Sequence, residues 1–241
     1  MGHHNIRSFW KQCIAAVLML VLLSCLSLPG FAASRETPAP AAAAVTIQAA
    51  KKKTVFIGDS RTAGLRQARM GGPLVRDLIQ QDGSILWDFK WGANFVDLTT
   101  NLLPRLELSG PTVIDNRTTI VVWMGFNDVI HMQTATVTEY INLYKIMTAL
   151  WTARGAKVYF MNLGPRGNWT GAKKYQKEQF KTDNKKLRSF NKQLKANLPA
   201  QASYIDIYSY LVDNGYATTD GTHYSLSTSK RIYNFVIKKT K

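Results

Sequence analysis

Cysteine is almost missing from this sequence: the 241 residues hold two, Cys13 and Cys25, both close to the N terminus. Past Cys25 there is no thiol. That excludes a disulfide framework, a thiolate metal site and a cysteine nucleophile from any domain that follows. Acidic residues are scarce too, 15 against 31 lysines and arginines, which leaves a formal net charge of +16 and a sequence pI of about 9.9. Such an excess suits anionic surroundings (nucleic acid, an anionic membrane surface or an acidic polymer) without choosing among them. Histidine occurs four times. His3 and His4 sit at the very start, so His131 and His223 are left as side chains able to exchange a proton near neutral pH.

There is one long hydrophobic run, from Cys13 to Leu28, broken only by Ser24, Ser27 and the cysteines. Arg7 and Lys11 precede it, Pro29-Gly30 ends it, and Phe31-Ala32-Ala33 offers small residues for cleavage. This is the layout of a secretory signal over residues 1–33. An uncleaved N-terminal anchor is the alternative, although a spanning helix needs roughly 20 apolar residues. The expected location is therefore secreted or cell-envelope associated. Residues 34–53, with Pro38-Ala39-Pro40, a run of alanines and Lys51-Lys52-Lys53, read as a linker with nothing to build a core. Residues 54–241 are left as the folded domain.

Within that domain short apolar runs alternate with helical patterns. Strands are expected at 54–57, 85–91, 119–124, 157–163 and 204–207. Helices are expected at 60–70, 95–106, 137–154, 173–198 and 226–239. Runs apolar on both faces indicate buried parallel strands, and the alternation indicates an α/β sheet of about five strands covered by helices on both sides. The 173–198 helix is strongly basic. It is either a solvated outer face or a patch that meets anionic wall polymer or lipid.

Ligands of such sheets gather beyond the carboxyl ends of the strands, and three segments carry polar residues there. Gly58-Asp59-Ser60-Arg61 follows the first strand and puts a hydroxyl at the turn into a helix, beside backbone N–H groups that can face an anion. A serine that merely caps the helix is the commoner use of that position. Gly125-Phe126-Asn127-Asp128 follows the third strand. Asn127 can donate an amide N–H to a developing oxyanion or simply hold a turn, and Asp128 can hold the loop. Asp220-Gly221-Thr222-His223 precedes the last helix. A carboxylate three residues before an imidazole can accept from one ring nitrogen and leave the other for Ser60. His131 lacks that arrangement and reads as a pocket or surface histidine.

These blocks, in this order, resemble those of the SGNH (GDSL-like) hydrolase family: Gly58-Asp59-Ser60, then a glycine block assigned to Gly92 in Lys90-Trp91-Gly92-Ala93-Asn94, then Gly125-Phe126-Asn127-Asp128, then Asp220-Gly221-Thr222-His223. The resemblance spans about residues 54–240. It implies a flavodoxin-like, three-layer α/β/α fold with no required metal or cofactor. It also implies a nucleophile at Ser60, a base at His223, an orienting carboxylate at Asp220, and an oxyanion hole built from the Ser60 N–H, the Gly92 N–H and the Asn127 side chain. Arg61 departs from the family's leucine; it is expected to pair with Asp59 or another acid, or to face the substrate. Trp169, in the loop from Gly164 to Gly171, is the other candidate substrate contact. The expected activity is hydrolysis of small acyl esters, O-acetyl groups on extracellular or cell-wall glycan foremost. Lysophospholipid hydrolysis, acyl transfer to a glycan and a non-catalytic wall-binding module are the alternatives. The expected partners are an acylated small molecule or glycan and an anionic wall polymer or membrane surface, with no nucleic acid.

Overall fold

Six strands form one sheet in the order β2-β3-β1-β4-β5-β6. They are β1 (Lys53–Gly58), β2 (Asp77–Asp82), β3 (Ile85–Lys90), β4 (Thr118–Trp123), β5 (Lys157–Met161) and β6 (Ala202–Ile205). The computed structural model describes residues 52–109 and 114–241; the expected signal and nearly all of the expected linker lie outside them. Five strands run parallel, and β2 alone pairs antiparallel, with β3. Without β2 the order is the flavodoxin-like one, and its direction reverses between β1 and β4.

Alternate strand residues face opposite layers. Phe56, Trp87, Val121, Trp123, Met161 and Ile205 point to one side, where they meet Ala63 and Leu65 of α1 (Ser60–Met70). Ile207 and Leu211 of α6 (Ile207–Asn214), and Ile232 and Val236 of α7 (Leu226–Thr240), complete that layer. Phe56 and Trp87 stack at 4.8 Å between ring centroids. On the other side Phe160 stacks on Tyr144 at 4.0 Å. Tyr144 belongs to α4 (Val137–Ala153), which is joined there by α5 (Lys174–Asn197). Also in that layer is a helical stretch made of α2 (Phe95–Asp97), a π turn (Leu98–Leu102) and α3 (Leu103–Ser109).

The sheet differs from expectation at its two edges. β2 is an extra, sixth strand. Its residues are mostly exposed or half-buried, so it lacks the continuous apolar run that marked the others. Its signal is the Gly83-Ser84 pair that joins it to β3, a two-residue hairpin sign. At the far edge Ile207 lies in a helix and not in the last strand, because Asp206 accepts from Ser209 N at 3.0 Å and starts α6.

Arg105 of α3 fastens the extra strand. Its guanidinium meets Asp88 of β3 and Asp77 of β2, each at 2.6 Å, and donates to the carbonyls of Leu78 and Phe89 at 3.0 Å. Asp88 is fully buried, and burial pushes its carboxyl up to about 7 against the pull of Arg105. Arg105→Met should lower the unfolding free energy by about 3–5 kcal/mol, the usual cost of stranding one member of a buried ion pair. Urea denaturation measures this, and Asp88→Asn added to that variant should recover part of the loss.

Candidate active site

The parallel register sets the ends of β1, β3 and β4 level: Gly58 pairs with Phe89 on one side and Trp123 on the other. Their three following loops therefore open on one rim. At Gly58 a Cβ would stand 1.9 Å from Thr62 Oγ1 and 2.8 Å from the Trp123 carbonyl oxygen. Only hydrogen fits there, and this lets α1 start immediately after the strand. Asp59 is the N-cap, accepting from Arg61 N at 2.8 Å, so Ser60 is the first residue of the helix. Burial drives the Asp59 carboxyl upward, opposed mainly by Arg61.

Asp220, Gly221 and Thr222 fold a tight loop that carries His223. One Asp220 oxygen accepts from the backbone N–H groups of Thr222 and His223, both at 2.8 Å. The other lies 2.6 Å from His223 Nδ1. A carboxylate only accepts, so Nδ1 carries the proton and Nε2 is left as an acceptor. Nε2 lies 3.0 Å from Ser60 Oγ, in line for the hydroxyl to donate. Burial disfavours ionised Asp220, but the hydrogen bonds from the His223 ring, the His223 N–H and the Thr222 N–H outweigh it and hold the carboxyl well below the usual carboxylate range. Gly221, at φ +84°, packs so closely on Phe180 of α5 that a Cβ would sit 2.2 Å from the ring.

The other two blocks meet beside the serine. Asn127 Nδ2 donates to the Ala93 carbonyl at 2.8 Å, which ties its loop to the Gly92 turn and leaves the second amide proton free to point elsewhere. Asp128 holds the same pair of loops together: it accepts from Phe95 N at 2.9 Å and from the Tyr140 hydroxyl at 2.6 Å, and Thr134 Oγ1 also bonds to it. Among the described residues the N–H groups of Ser60 and Gly92 have no protein acceptor. A cavity of about 260 Å³ adjoins Ser60, bordered by Gln67, Leu74, Trp91, Thr219 and His223.

Arg61 does not form an ion pair among the described residues. It is 3 % exposed, and its guanidinium lies 3.6 Å over the Phe126 ring. It donates to the carbonyls of Gly164 at 3.1 Å and Thr222 at 3.4 Å. It thus braces the histidine loop, and it also borders the cavity beside Ser60. Trp169 sits in the loop whose Gly167 N–H donates to the Gly221 carbonyl at 2.8 Å, but it does not border the cavity beside Ser60. His131 is exposed and sits edge-on to Phe126 at 6.0 Å, away from the serine's hydrogen bonds.

An aromatic ring that borders the cavity beside the serine is Trp91. It stacks on the His223 imidazole, centroids 4.5 Å apart and planes at 25°. Its one sequence sign was its place directly before the glycine of the second block. Among the described residues there is no cluster of three or more His, Cys, Asp or Glu side chains that could hold a metal ion.

Residues 54–236 match the sequence profile of the GDSL-like Lipase/Acylhydrolase family. No curated protein matches the sequence. Solved structures do match in fold. One is a GDSL-like lipase from Bacteroides thetaiotaomicron, with TM-score 0.52 and 18% identity over 78% of this chain and 86% of that one. Another is a proposed acylhydrolase from Bacteroides fragilis, with TM-score 0.55 and 20% identity over 78% and 86% of the two chains. A third is a proposed platelet activating factor from Streptococcus pneumonia, with TM-score 0.57 and 18% identity over 81% and 87%.

Proposed function

We propose, for a chain that belongs to the GDSL-like lipase/acylhydrolase family and is thereby an ester-hydrolysing serine hydrolase, that Ser60, His223 and Asp220 act as nucleophile, base and orienting acid on small acyl esters. The observation that carries this reading is the unbroken line from Asp220 Oδ2 through the imidazole to Ser60 Oγ, with steps of 2.6 and 3.0 Å. As Oγ attacks the carbonyl carbon, its proton passes to His223 Nε2 and the carbonyl π electrons move to oxygen. The N–H groups of Ser60 and Gly92 and the Asn127 amide donate to that oxygen; one such donor is commonly worth about 100-fold to 1000-fold in rate. The proton then goes to the departing alcohol, and water repeats the sequence on the acyl-enzyme.

The cavity of about 260 Å³ supports a small acyl or alcohol group over a long chain. Its mixed lining, the Trp91 indole with polar Gln67 and Thr219, suits a hydroxylated alcohol such as a sugar. O-acetyl groups on extracellular or wall glycan are accordingly the proposed substrates, reached by export through residues 1–33. On chromogenic esters of graded length, acetate should be the preferred substrate. Ser60→Ala should lose at least about a thousandfold in kcat/KM, while His131→Ala should stay near wild type. Wild-type activity in Ser60→Ala would end the assignment.

The base must be neutral to accept the serine proton, whereas Asp220, held low, stays ionised throughout the working range. The kcat/KM profile should therefore fall on the acid side through one protonation, about tenfold for each pH unit below the bend. A steeper, two-proton fall would mean that Asp220 also titrates.

The outer face of α5 supports an anionic polymer as partner. Lys174, Lys177, Lys181, Lys185, Arg188 and Lys192 recur every three or four residues, all exposed, opposite the buried Phe180, Leu187 and Phe190. Glu178 is the only exposed acid on the helix. The face lacks the apolar side chains that would enter a bilayer, apart from Tyr175. On a heparin column, Lys181→Glu with Lys185→Glu should elute at clearly lower salt than wild type. Co-elution of the two proteins, or retention by anionic vesicles alone, would remove the polymer from the proposal.

A further inference from the structure

We infer that Trp91 is a positioning residue for His223, and that its stack on the imidazole strengthens when that ring becomes a cation. The inference rests on the reading of His223 as the base. Three contacts hold this ring. Asp220 fixes Nδ1 in the ring plane, and Ser60 Oγ faces Nε2. Both act at the ring's edge, so neither prevents the imidazole from tipping about the line that joins them. The indole of Trp91 covers a face, with centroids 4.5 Å apart and planes at 25°, and opposes that motion. Trp91 is itself anchored, its backbone N–H donating to the Arg76 carbonyl at 2.6 Å.

The electrostatics act in the same sense. An aromatic face carries a negative quadrupole and attracts a cation more than a neutral ring. Before attack His223 is neutral. It holds the positive charge only while it holds the serine proton, that is, as the tetrahedral species forms and breaks. An interaction stronger in that state than before it raises kcat and leaves substrate affinity alone. The other charged or titratable groups around the imidazole are Asp220 on its own loop, Asp59 and Arg61 at the start of α1, and His131 after β4. A Trp91 substitution leaves all four in place.

Trp91 also borders the cavity beside Ser60, so a purely substrate-binding role is the competing account. Trp91→Leu and Trp91→Phe, assayed on a chromogenic acetate ester beside Ser60→Ala, separate the two. Trp91→Leu should lose roughly 3- to 30-fold in kcat, the span of a partly shielded cation–π contact, with KM within about twofold of wild type. Its acid limb should move to lower pH, because the imidazolium has lost a stabilising neighbour. Trp91→Phe, which keeps a face over the imidazole, should recover most of the kcat and part of the shift. A loss confined to KM, an unmoved acid limb, or a Phe variant no better than Leu would overturn the inference. If Trp91→Leu does not fold, the pH profile of Trp91→Phe against wild type decides: an acid limb between the expected extremes supports the stack, and an unmoved one overturns it. An active Ser60→Ala would instead strike at the triad, and so the two failures are told apart.

Discussion

The close approach at Gly58 governs everything built above it. The strand end, the first turn of α1 and the neighbouring strand converge so tightly that a side chain of even one carbon would collide with Thr62 and with the Trp123 carbonyl. That contact makes the turn abrupt. Asp59 caps the helix within the same turn, and Ser60 emerges at the helix start with its own N–H unclaimed by any acceptor among the described residues. A gentler turn would carry the hydroxyl away from the rim where the loops after β3 and β4 already meet.

From that point the machinery is held by cross-ties between loops more than by any one element. Asn127 and Asp128 bind the loop after β4 to the loop after β3. Arg61 reaches from α1 to the carbonyls of Gly164 and Thr222. Tyr224 donates from its hydroxyl to the Pro165 carbonyl at 2.7 Å. Each tie satisfies a backbone group that a buried loop would otherwise leave without a partner. Arg61 stands where the family's motif has leucine, and it adds donors that leucine lacks. With a positive charge set among aromatic rings and carbonyls, it works as a brace for the histidine loop.

What was legible in the sequence was local. Gly58-Asp59-Ser60, Gly125-Phe126-Asn127-Asp128 and Asp220-Gly221-Thr222-His223 announce themselves through residues a few positions apart, and the buried strands through unbroken apolar runs. The edge strand β2 stayed hidden because its partner on one side is α3, through Arg105, and not a second strand. Its polar residues pair with solvent and a guanidinium, so no run forms. Helix α6 stayed hidden because Ile205 and Ile207 flank an aspartate that serves as the cap, and a period of two looks the same as a strand at that length. The contact of Trp91 with His223 joins residues 132 positions apart along the chain. Nothing in either neighbourhood specifies it; the register of β3 against β1 does.

The Gly167–Gly221 and Thr218–Gly167 hydrogen bonds make the loop after β5 and the histidine loop one mechanical unit. Surface loops usually vary freely among relatives, and new specificities arise by lengthening them. Here that freedom is curtailed. An insertion near Trp169 would pull on the turn that carries the imidazole. Variation has a freer course in the exposed Gly71–Leu74 stretch, provided that Gly71 and Gly72 are kept, since their φ of +73° and +76° would strain any side chain.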